Sequence, residues 1–385
     1  MSSGRQPTID ELSRDPHQAH DALRANGPLS WVPSLNGWLV TDRRLAIEVM
    51  RDSTTFTVDH PGFTTAQVIG PSMLSLDGVD HRRHRDPFAA HFRTGEVRER
   101  FETFLAERST EIVDRLRPSG RGELRSELAA LFAVHVVAEL LDLVDIDTAE
   151  LLRLYRDIVG AVNDLSVGEP MPPSGPEAVE ALRLHVETAI AGDGMLATAA
   201  QVLTGDEVLS NAAVMLFGGI ETNEGMTASA LWYLLSVPEL MRTIERDRSL
   251  VSALVEESLR LEPAAARVDR FATRALVLAG QRIARDDLLI VSLAAANRDP
   301  AAFDQPHEFR LDRSSDDGHL AFAQGPHACI AQHLARMETR AMVNAVLDRL
   351  PEISLDRDTS KAHEGLVFRK PVAVQARWIT NNRGG

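Results

Sequence analysis

Helical periodicity governs this sequence. Segments near 96–117, 123–142, 146–165, 177–191, 206–236, 239–247, 250–261 and 330–350 carry apolar residues at three- and four-residue spacing and are rich in Ala, Leu, Glu and Arg. The longest, 206–236, reads as one long apolar helix. Strand-like pieces are short and gather in two places. PLSWVPSLNGWLVT near the start has Asn36-Gly37 as a hairpin turn, and ALVLAGQRIARDDLLIVSL covers 275–293. GLVFRKPVAVQARW adds a few more toward the end. The fold class is mainly α with small β-sheets.

A chain of 385 residues can bury a substantial core in one large domain or in several. It shows no internal repeat, no low-complexity tract and no linker, and the Pro-rich EPMPPSGPE at 169–177 is short enough to join two helices. A single domain over 1–385 fits best. Hydrophobic residues make up 44% and charged residues 25%, and no run approaches the roughly 18 apolar residues of a membrane span. The N-terminal MSSGRQPTIDELSRD lacks the apolar core of a secretory signal, which makes the cytoplasm the expected location. A net charge of −15 disfavours nucleic acid and anionic membranes and leaves a small molecule or another protein as partner.

The stretch HLAFAQGPHACIAQHLAR, residues 319–336, holds the one cysteine of the chain, Cys329. A lone cysteine is most often a small buried hydrophobe. Here Gly325-Pro326 forces a turn, and a helix is expected from Cys329 or just after it to a stop at Pro351. The positive end of that helix is expected to lower the thiol pKa and favour thiolate. A thiolate so placed serves as a nucleophile, a zinc ligand or an axial ligand to haem iron. His319, His327 and His333 lie nearby, but their spacing matches no zinc pattern, and a nucleophile needs a partner base that sequence does not place.

The same stretch resembles the haem-binding loop of the cytochrome P450 family, Phe-Gly-x-Gly-x-His-x-Cys-x-Gly followed by Leu-Ala-Arg. Phe322, Gly325, His327, Cys329, Leu334, Ala335 and Arg336 match, while Ala323 and Ala331 stand where glycine is usual. The resemblance implies the P450 fold, with a long central helix over haem b and the cysteine loop beneath it. It also implies that Cys329 is the axial iron ligand and that Phe322, Gly325 and His327 belong to the cofactor site.

Three further constellations follow in the family's order. VMLFGGIETNEG places two glycines inside the long helix, each costing about 1 kcal/mol relative to Ala. They serve either close helix packing or a groove for dioxygen. In the second reading, which the family's Ala-Gly-x-acid-Thr helix supports, Gly218 and Gly219 clear space, and Glu221 with Thr222 delivers protons. LVEESLRLEP holds Glu257 and Arg260, by themselves an ordinary helix ion pair. The family's Glu-x-x-Arg, completed by Arg313, implies a structural network that holds the cysteine loop. His81 and Arg85 in DGVDHRRHRDPF, with Arg270 and His327, occupy the family's positions for the haem propionates; without the family, HRRHR reads as a solvated basic face. The connection AGDGMLATAAQVLT is shorter than in many members.

The resemblance implies an oxidoreductase, a cytochrome P450 monooxygenase of the soluble bacterial type. It would insert one oxygen atom of O2 into a hydrophobic small molecule by hydroxylation or epoxidation, in secondary metabolism. With no flavin, nicotinamide or iron–sulfur fingerprint, electrons would come from ferredoxin and its reductase, docked on a basic patch of Arg82, Arg83, Arg336 and Arg340, or these arginines are simply scattered and solvated. A monomer is expected. Family position assigns substrate walls to Phe63, Val68, Ile69, Met73, Val162, Leu165, Val214, Phe217, Ala266, Val268, Leu366 and Val367. An atypical haem-thiolate catalyst (peroxygenase, ring-forming, nitrating or coupling) and a non-catalytic haem-binding module stay open as alternatives.

Overall fold

The computed structural model describes residues 6–143, 146–313 and 318–380, so Met1–Arg5 of the polar N-terminal stretch lie outside it. Two short helices, α1 (Ile9–Arg14) and α2 (His17–Asn26), precede α3 (Arg43–Arg51), α4 (Thr64–Ile69) and α5 (Gly78–Ala89). Next come α6 (Thr94–Leu116), α7 (Leu131–Leu140), α8 (Thr148–Ser166), α9 (Ser174–Ile190) and α10 (Met195–Ala199). The 32-residue α11 (Gly205–Ser236) follows, then α12 (Pro238–Arg246), α13 (Val251–Leu261), α14 (Leu293–Ala296) and α15 (Gln332–Arg349). Every segment chosen by its helical spacing is helical. The segment expected over 123–142 opens with a π-helical stretch, Arg125–Ala130, that runs into α7.

Local chemistry sets the ends of α11. The Thr204 hydroxyl accepts from the Glu207 amide while the Glu207 carboxylate accepts from the Thr204 amide, so two otherwise orphaned donors at the helix start are satisfied. At the other end Val237 adopts extended backbone, as a residue before proline prefers, and Pro238 opens α12. Between these ends α11 is apolar or small on most sides, with Thr227 to Leu231 all buried. A helix of that kind belongs in the interior. The largest core cluster wraps it with side chains from α6, α7, α8, α9 and α15, Phe88, Phe101 and Phe132 being fully buried. Each such aromatic contributes about 1.5–3 kcal/mol.

The strands are β1 (Leu29–Val32), β2 (Gly37–Val40), β3 (Phe56–Thr57), β4 (Arg121–Glu123), β5 (Arg267–Ala272), β6 (Leu276–Leu278), β7 (Gln281–Ile283), β8 (Leu288–Ser292), β9 (Ser354–Leu355), β10 (Lys361–Glu364), β11 (Lys370–Ala373) and β12 (Gln375–Arg377). The main sheet has the order β1-β2-β8-β5-β3, with β2 and β8 parallel and its other pairs antiparallel. The first hairpin turns differently from the expected Asn-Gly pair. Its connection is a 3-10 turn over Pro33–Leu35 closed by left-handed Asn36 (φ 47°), and Gly37 already pairs with Val32. Between β6 and β7 the two-residue turn is Ala279-Gly280, both at positive φ. The short connection before α11 accommodates α10. Among the described residues no helix is long and apolar enough to cross a membrane.

Candidate active site

A cavity of about 330 Å³ lies between α11, β5 and the loop that precedes α15. The loop is a closed unit. The Cys329 amide donates to the Phe322 carbonyl at 2.8 Å, the Ala323 amide to the Leu320 carbonyl at 2.9 Å, and the Leu320 amide to Asn297 Oδ1 at 2.6 Å. Ala323, at the family's glycine position, sits at φ 56°, in the left-handed region that a Cβ disfavours. Gly325 (φ 78°) is not part of the cavity lining: a Cβ there would stand 2.6 Å from the Met50 carbonyl oxygen of α3, so its glycine is demanded by a close backbone approach. Phe322 and Cys329 do face the cavity. The helix begins at Gln332, three residues past the cysteine, with Ala331 at ordinary backbone angles as its cap. Burial pushes the Cys329 thiol up, against the Ala331 amide and the cations of Arg85 and Arg336, which pull it down. The expected lowering by the helix end is therefore outweighed by desolvation.

Four cation-capable side chains converge beside that loop. The rings of His81 and His327 lie 4.4 Å apart, Arg85 donates to the Ala328 carbonyl at 2.6 Å, and Arg270 donates to the Asp269 carbonyl at 2.8 Å. His81 Nε2, His327 Nδ1 and Arg270 Nε and Nη2 are buried with no hydrogen-bond partner. Burial and the charges of His327 and Arg85 hold His81 down at about 4, and burial also lowers His327, Arg85 and Arg270. The unpartnered Arg270 donors call for an anion, and an anion there would also favour protonation of the neighbouring His81 and His327 rings. Asp77, which sequence reasoning missed, orients the cluster from behind: it takes His327 Nε2 at 2.9 Å and also accepts from the Thr57 hydroxyl and the Val58 amide.

On α11 the two glycines part company. A Cβ on Gly218 would meet nothing within 4 Å, whereas one on Gly219 would stand 2.6 Å from Val137 Cγ2 of α7. Both line the cavity, but Gly219 also serves helix packing, while Gly218 leaves open space. The Thr222 hydroxyl donates to the Gly218 carbonyl at 2.6 Å, and Thr222 lines the cavity. Glu221 does not line it. Its carboxylate accepts from the Tyr155 hydroxyl and lies 2.9 Å from Lys370 Nζ, inside a buried cluster that adds Glu224 and Arg125. Glu221-x-x-Glu224, two carboxylates one turn apart in an apolar helix, is the sequence signal that such partners exist.

The profile of the family described as Cytochrome P450 matches residues 193–371. "Cytochrome P450 monooxygenase PikC" of Streptomyces venezuelae is 30% identical over 97% of this chain and 94% of its own. The chain belongs to the cytochrome P450 family. "20-oxo-5-O-mycaminosyltylactone 23-monooxygenase" of Streptomyces fradiae is 31% identical over 93% of this chain and 87% of its own. Among solved structures, that of "a Post-tailoring Hydroxylase (HmtN) Involved in the Himastatin Biosynthesis" superposes with a TM-score of 0.83 at 26% identity, covering 97% of this chain and 100% of the other. This P450 is accordingly a monooxygenase, and haem b is its cofactor.

The residues present fit that cofactor. Haem carries two carboxylates, and the unpartnered Arg270 donors, with His81 and with His327 once its ring is protonated, would supply what they need at the edge of the cavity that Cys329 lines. Behind the loop, the P450 Glu-x-x-Arg pair is fully tied. Arg260, 2% exposed, donates to both Glu257 oxygens (2.7 and 2.8 Å) and to the carbonyls of Asn297, Pro306 and Glu308. Arg313 donates to Glu257 Oε1 at 2.8 Å and to the carbonyls of Asp304, Gln305 and Glu308. The network thereby folds residues 297–313 into the platform that carries the cysteine loop.

Of the walls expected from family position, Phe63, Met73, Val162, Val214, Phe217, Val268 and Val367 line the cavity. Val68, Ile69, Leu165, Ala266 and Leu366 do not. Val68 and Ile69 are spent in the core, where α4 packs on α8 and α9, and Leu165 packs against the same cluster. Ala266 and Leu366 turn to a small cleft beside His20 and Leu39. The lining is also less uniformly apolar than the sequence suggested, since Thr64, Ser166, Arg267 and Asp269 join it. The basic patch is thinner than expected: Arg83 is bound by both oxygens of Glu207 and Arg336 by both oxygens of Glu256.

Proposed function

We propose that this P450 inserts one atom of O2 into a hydrophobic small molecule, by hydroxylation or epoxidation, as a step of secondary metabolism. In this reading it works as a monomeric single domain in the cytoplasm and draws electrons from ferredoxin and ferredoxin reductase. The observation that carries the reading is the juxtaposition of Thr222 and Cys329 on the lining of one largely apolar cavity flanked by the unpartnered nitrogens of Arg270, His81 and His327. The named activities of the two Streptomyces relatives, both monooxygenases, support it. Exposed Arg82 is left to attract an acidic electron donor once Arg83 and Arg336 are paired.

Bound haem supplies oxygen activation that no side chain offers. Cys329 would bind its iron through sulfur, and His81, Arg85, Arg270 and His327 would hold its carboxylates. The apolar walls exclude water and orient the substrate. Thr222 presents a hydroxyl to the cavity, and Glu221, one residue away, would relay a proton to it only on turning from the Tyr155 and Lys370 partners that hold it outside the cavity.

The test is the absorption spectrum of the dithionite-reduced protein with and without carbon monoxide. A strongly red-shifted Soret band that is lost in Cys329→Ser is the expected result. A histidine-type band in the wild type, or a band unchanged in Cys329→Ser, overturns the ligand assignment.

A further inference from the structure

The loop between α4 and α5, residues 70–77, contributes Met73 and Leu74 to the cavity lining. It is tied down at three points. Gly70 (φ 83°) lies so close to α11 that a Cβ would stand 2.9 Å from Ser210 Oγ. Asp77 is held by Thr57, Val58 and His327. Between them, the Met73 amide donates to Asn211 Oδ1 at 2.9 Å.

Asn211, on the second turn of α11, is fully buried, and all its hydrogen-bonding capacity on this side is spoken for. Its Nδ2 donates to the Glu207 carbonyl at 2.7 Å and meets His84 Nδ1 at 2.9 Å. A backbone N–H on one side and a backbone C=O on the other fix which amide atom is which, so His84 Nδ1 must be the acceptor. The ring proton then sits on Nε2, aimed at Glu207 Oε1 3.4 Å away, and Arg83 Nη2, 3.2 Å from the same nitrogen, donates to that Glu207 oxygen and not to the ring. Burial favours this neutral ring by lowering the His84 pKa, opposed by Glu207 and Asp80 and aided by Arg83. One asparagine thus joins α11, α5 and the cavity loop.

We propose that Asn211, with His84 behind it, is a positioning pair that fixes Met73 as a rigid wall of the cavity and so sets which hydrophobic molecules fit. The proposal rests on the reading of this cavity as the substrate site. A methionine side chain adapts easily to its surroundings, so a wall built from one selects shape only if its backbone is pinned. Ser72 and Ser75 stiffen the pin: the Ser72 amide donates to Ser75 Oγ, and the Ser75 and Leu76 amides donate to the Ser72 carbonyl.

The experiment uses the haem-loaded protein and two probes, imidazole and the bulkier 4-phenylimidazole, each titrated by its spectral shift. Wild type, Asn211→Ala and Asn211→Asp are compared. Asn211→Ala is expected to change the ratio of the two dissociation constants by roughly tenfold, the scale of one methylene of pocket shape. Asn211→Asp keeps an acceptor for the Met73 amide but turns a second acceptor toward the Glu207 carbonyl and the His84 Nδ1 lone pair, so it is expected to shift the ratio in the same direction as Asn211→Ala. An unchanged ratio in Asn211→Ala overturns the proposal. Amide hydrogen exchange of residues 70–77 in the wild type decides independently of any variant's folding: the Met73 amide is expected to exchange as slowly as the first turns of α11, and exchange at the rate of an open loop overturns the pin. The carbon monoxide spectrum of the wild type reports separately on the haem reading.

Discussion

The Tyr155 hydroxyl of α8 donates to the Glu221 carboxylate of α11, and Lys370 Nζ lies 2.9 Å from the other Glu221 oxygen. Burial and the two carboxylates of Glu221 and Glu224 push the Tyr155 phenol far up, so the hydrogen stays on the phenol and Glu221 is the acceptor. Glu221 and Thr222, neighbours in sequence, therefore face different surroundings: the alcohol faces the cavity and the acid faces a buried ionic cluster.

If these two residues share the supply of protons, they fail in different ways. Thr222→Ala is expected to keep oxygen consumption while product per electron falls by roughly tenfold or more, and Glu221→Gln is expected to slow turnover by roughly 10²-fold. Product and NADPH consumption are measured together, with the carbon monoxide spectrum as a control for an intact site. Unaltered product yield in Thr222→Ala, or unaltered turnover in Glu221→Gln, removes that residue from proton delivery.

Ala323 at φ 56° carries a strain that glycine does not. Ala323→Gly is expected to stabilise the protein by about 1 kcal/mol, the typical penalty for a Cβ in the left-handed region, offset in part by the greater freedom of glycine in the unfolded chain. Thermal unfolding checks this. An unchanged or lower midpoint means that neighbouring contacts of the methyl group, which packs on the Leu320 cluster, outweigh the strain.

The adjacent glycines of α11 give opposite expectations. Gly219→Ala drives a methyl into Val137 and is expected to cost about 1–3 kcal/mol by overpacking. Gly218→Ala meets open space and is expected to fold as well as the wild type, with the added methyl narrowing the cavity. Thermal midpoints of the two variants, compared side by side, separate the packing role from the cavity role; equal losses would merge them.

Much of this was legible in the chain, for identifiable reasons. Helices announce themselves by periodicity, and the cysteine loop by a dense local pattern of Phe322, Gly325, His327 and Cys329. What stayed hidden depends on residues brought together across the fold. Tyr155 is 66 positions from Glu221, and Lys370 comes from a strand near the end of the chain, so no local spacing connects them. Side-chain direction was hidden too: Glu221 and Thr222 share a helix and a motif but not a face. Val68 and Leu165 looked like Met73 and Val162 because apolar residues line cavities and fill cores alike.

The same kind of long-range assembly predicts acid lability. His363 of β10 lies buried against Ser229 of α11 (3.0 Å), and burial, which outweighs the attraction of Glu262, holds it at about 4, with Arg369, His17 and Arg298 lowering it further. An unfolded chain protonates this ring near 6.5. Between pH 6.5 and about 4 the unfolded state therefore binds the proton that the folded state refuses, so stability rises with pH through that window and is lost as pH falls, by about 1.4 kcal/mol per pH unit for one such ring. Glu262, held well below the usual carboxylate range although its own burial pushes the other way, by His363, His17 and Arg369, acts in the same direction at lower pH. His363→Gln keeps a partner for Ser229 but cannot titrate. Thermal unfolding of both proteins from pH 7.5 to 5 is expected to show a shallower fall for the variant. Parallel curves would mean that His363 accepts its proton without unfolding the chain, and that the buried network yields locally to acid.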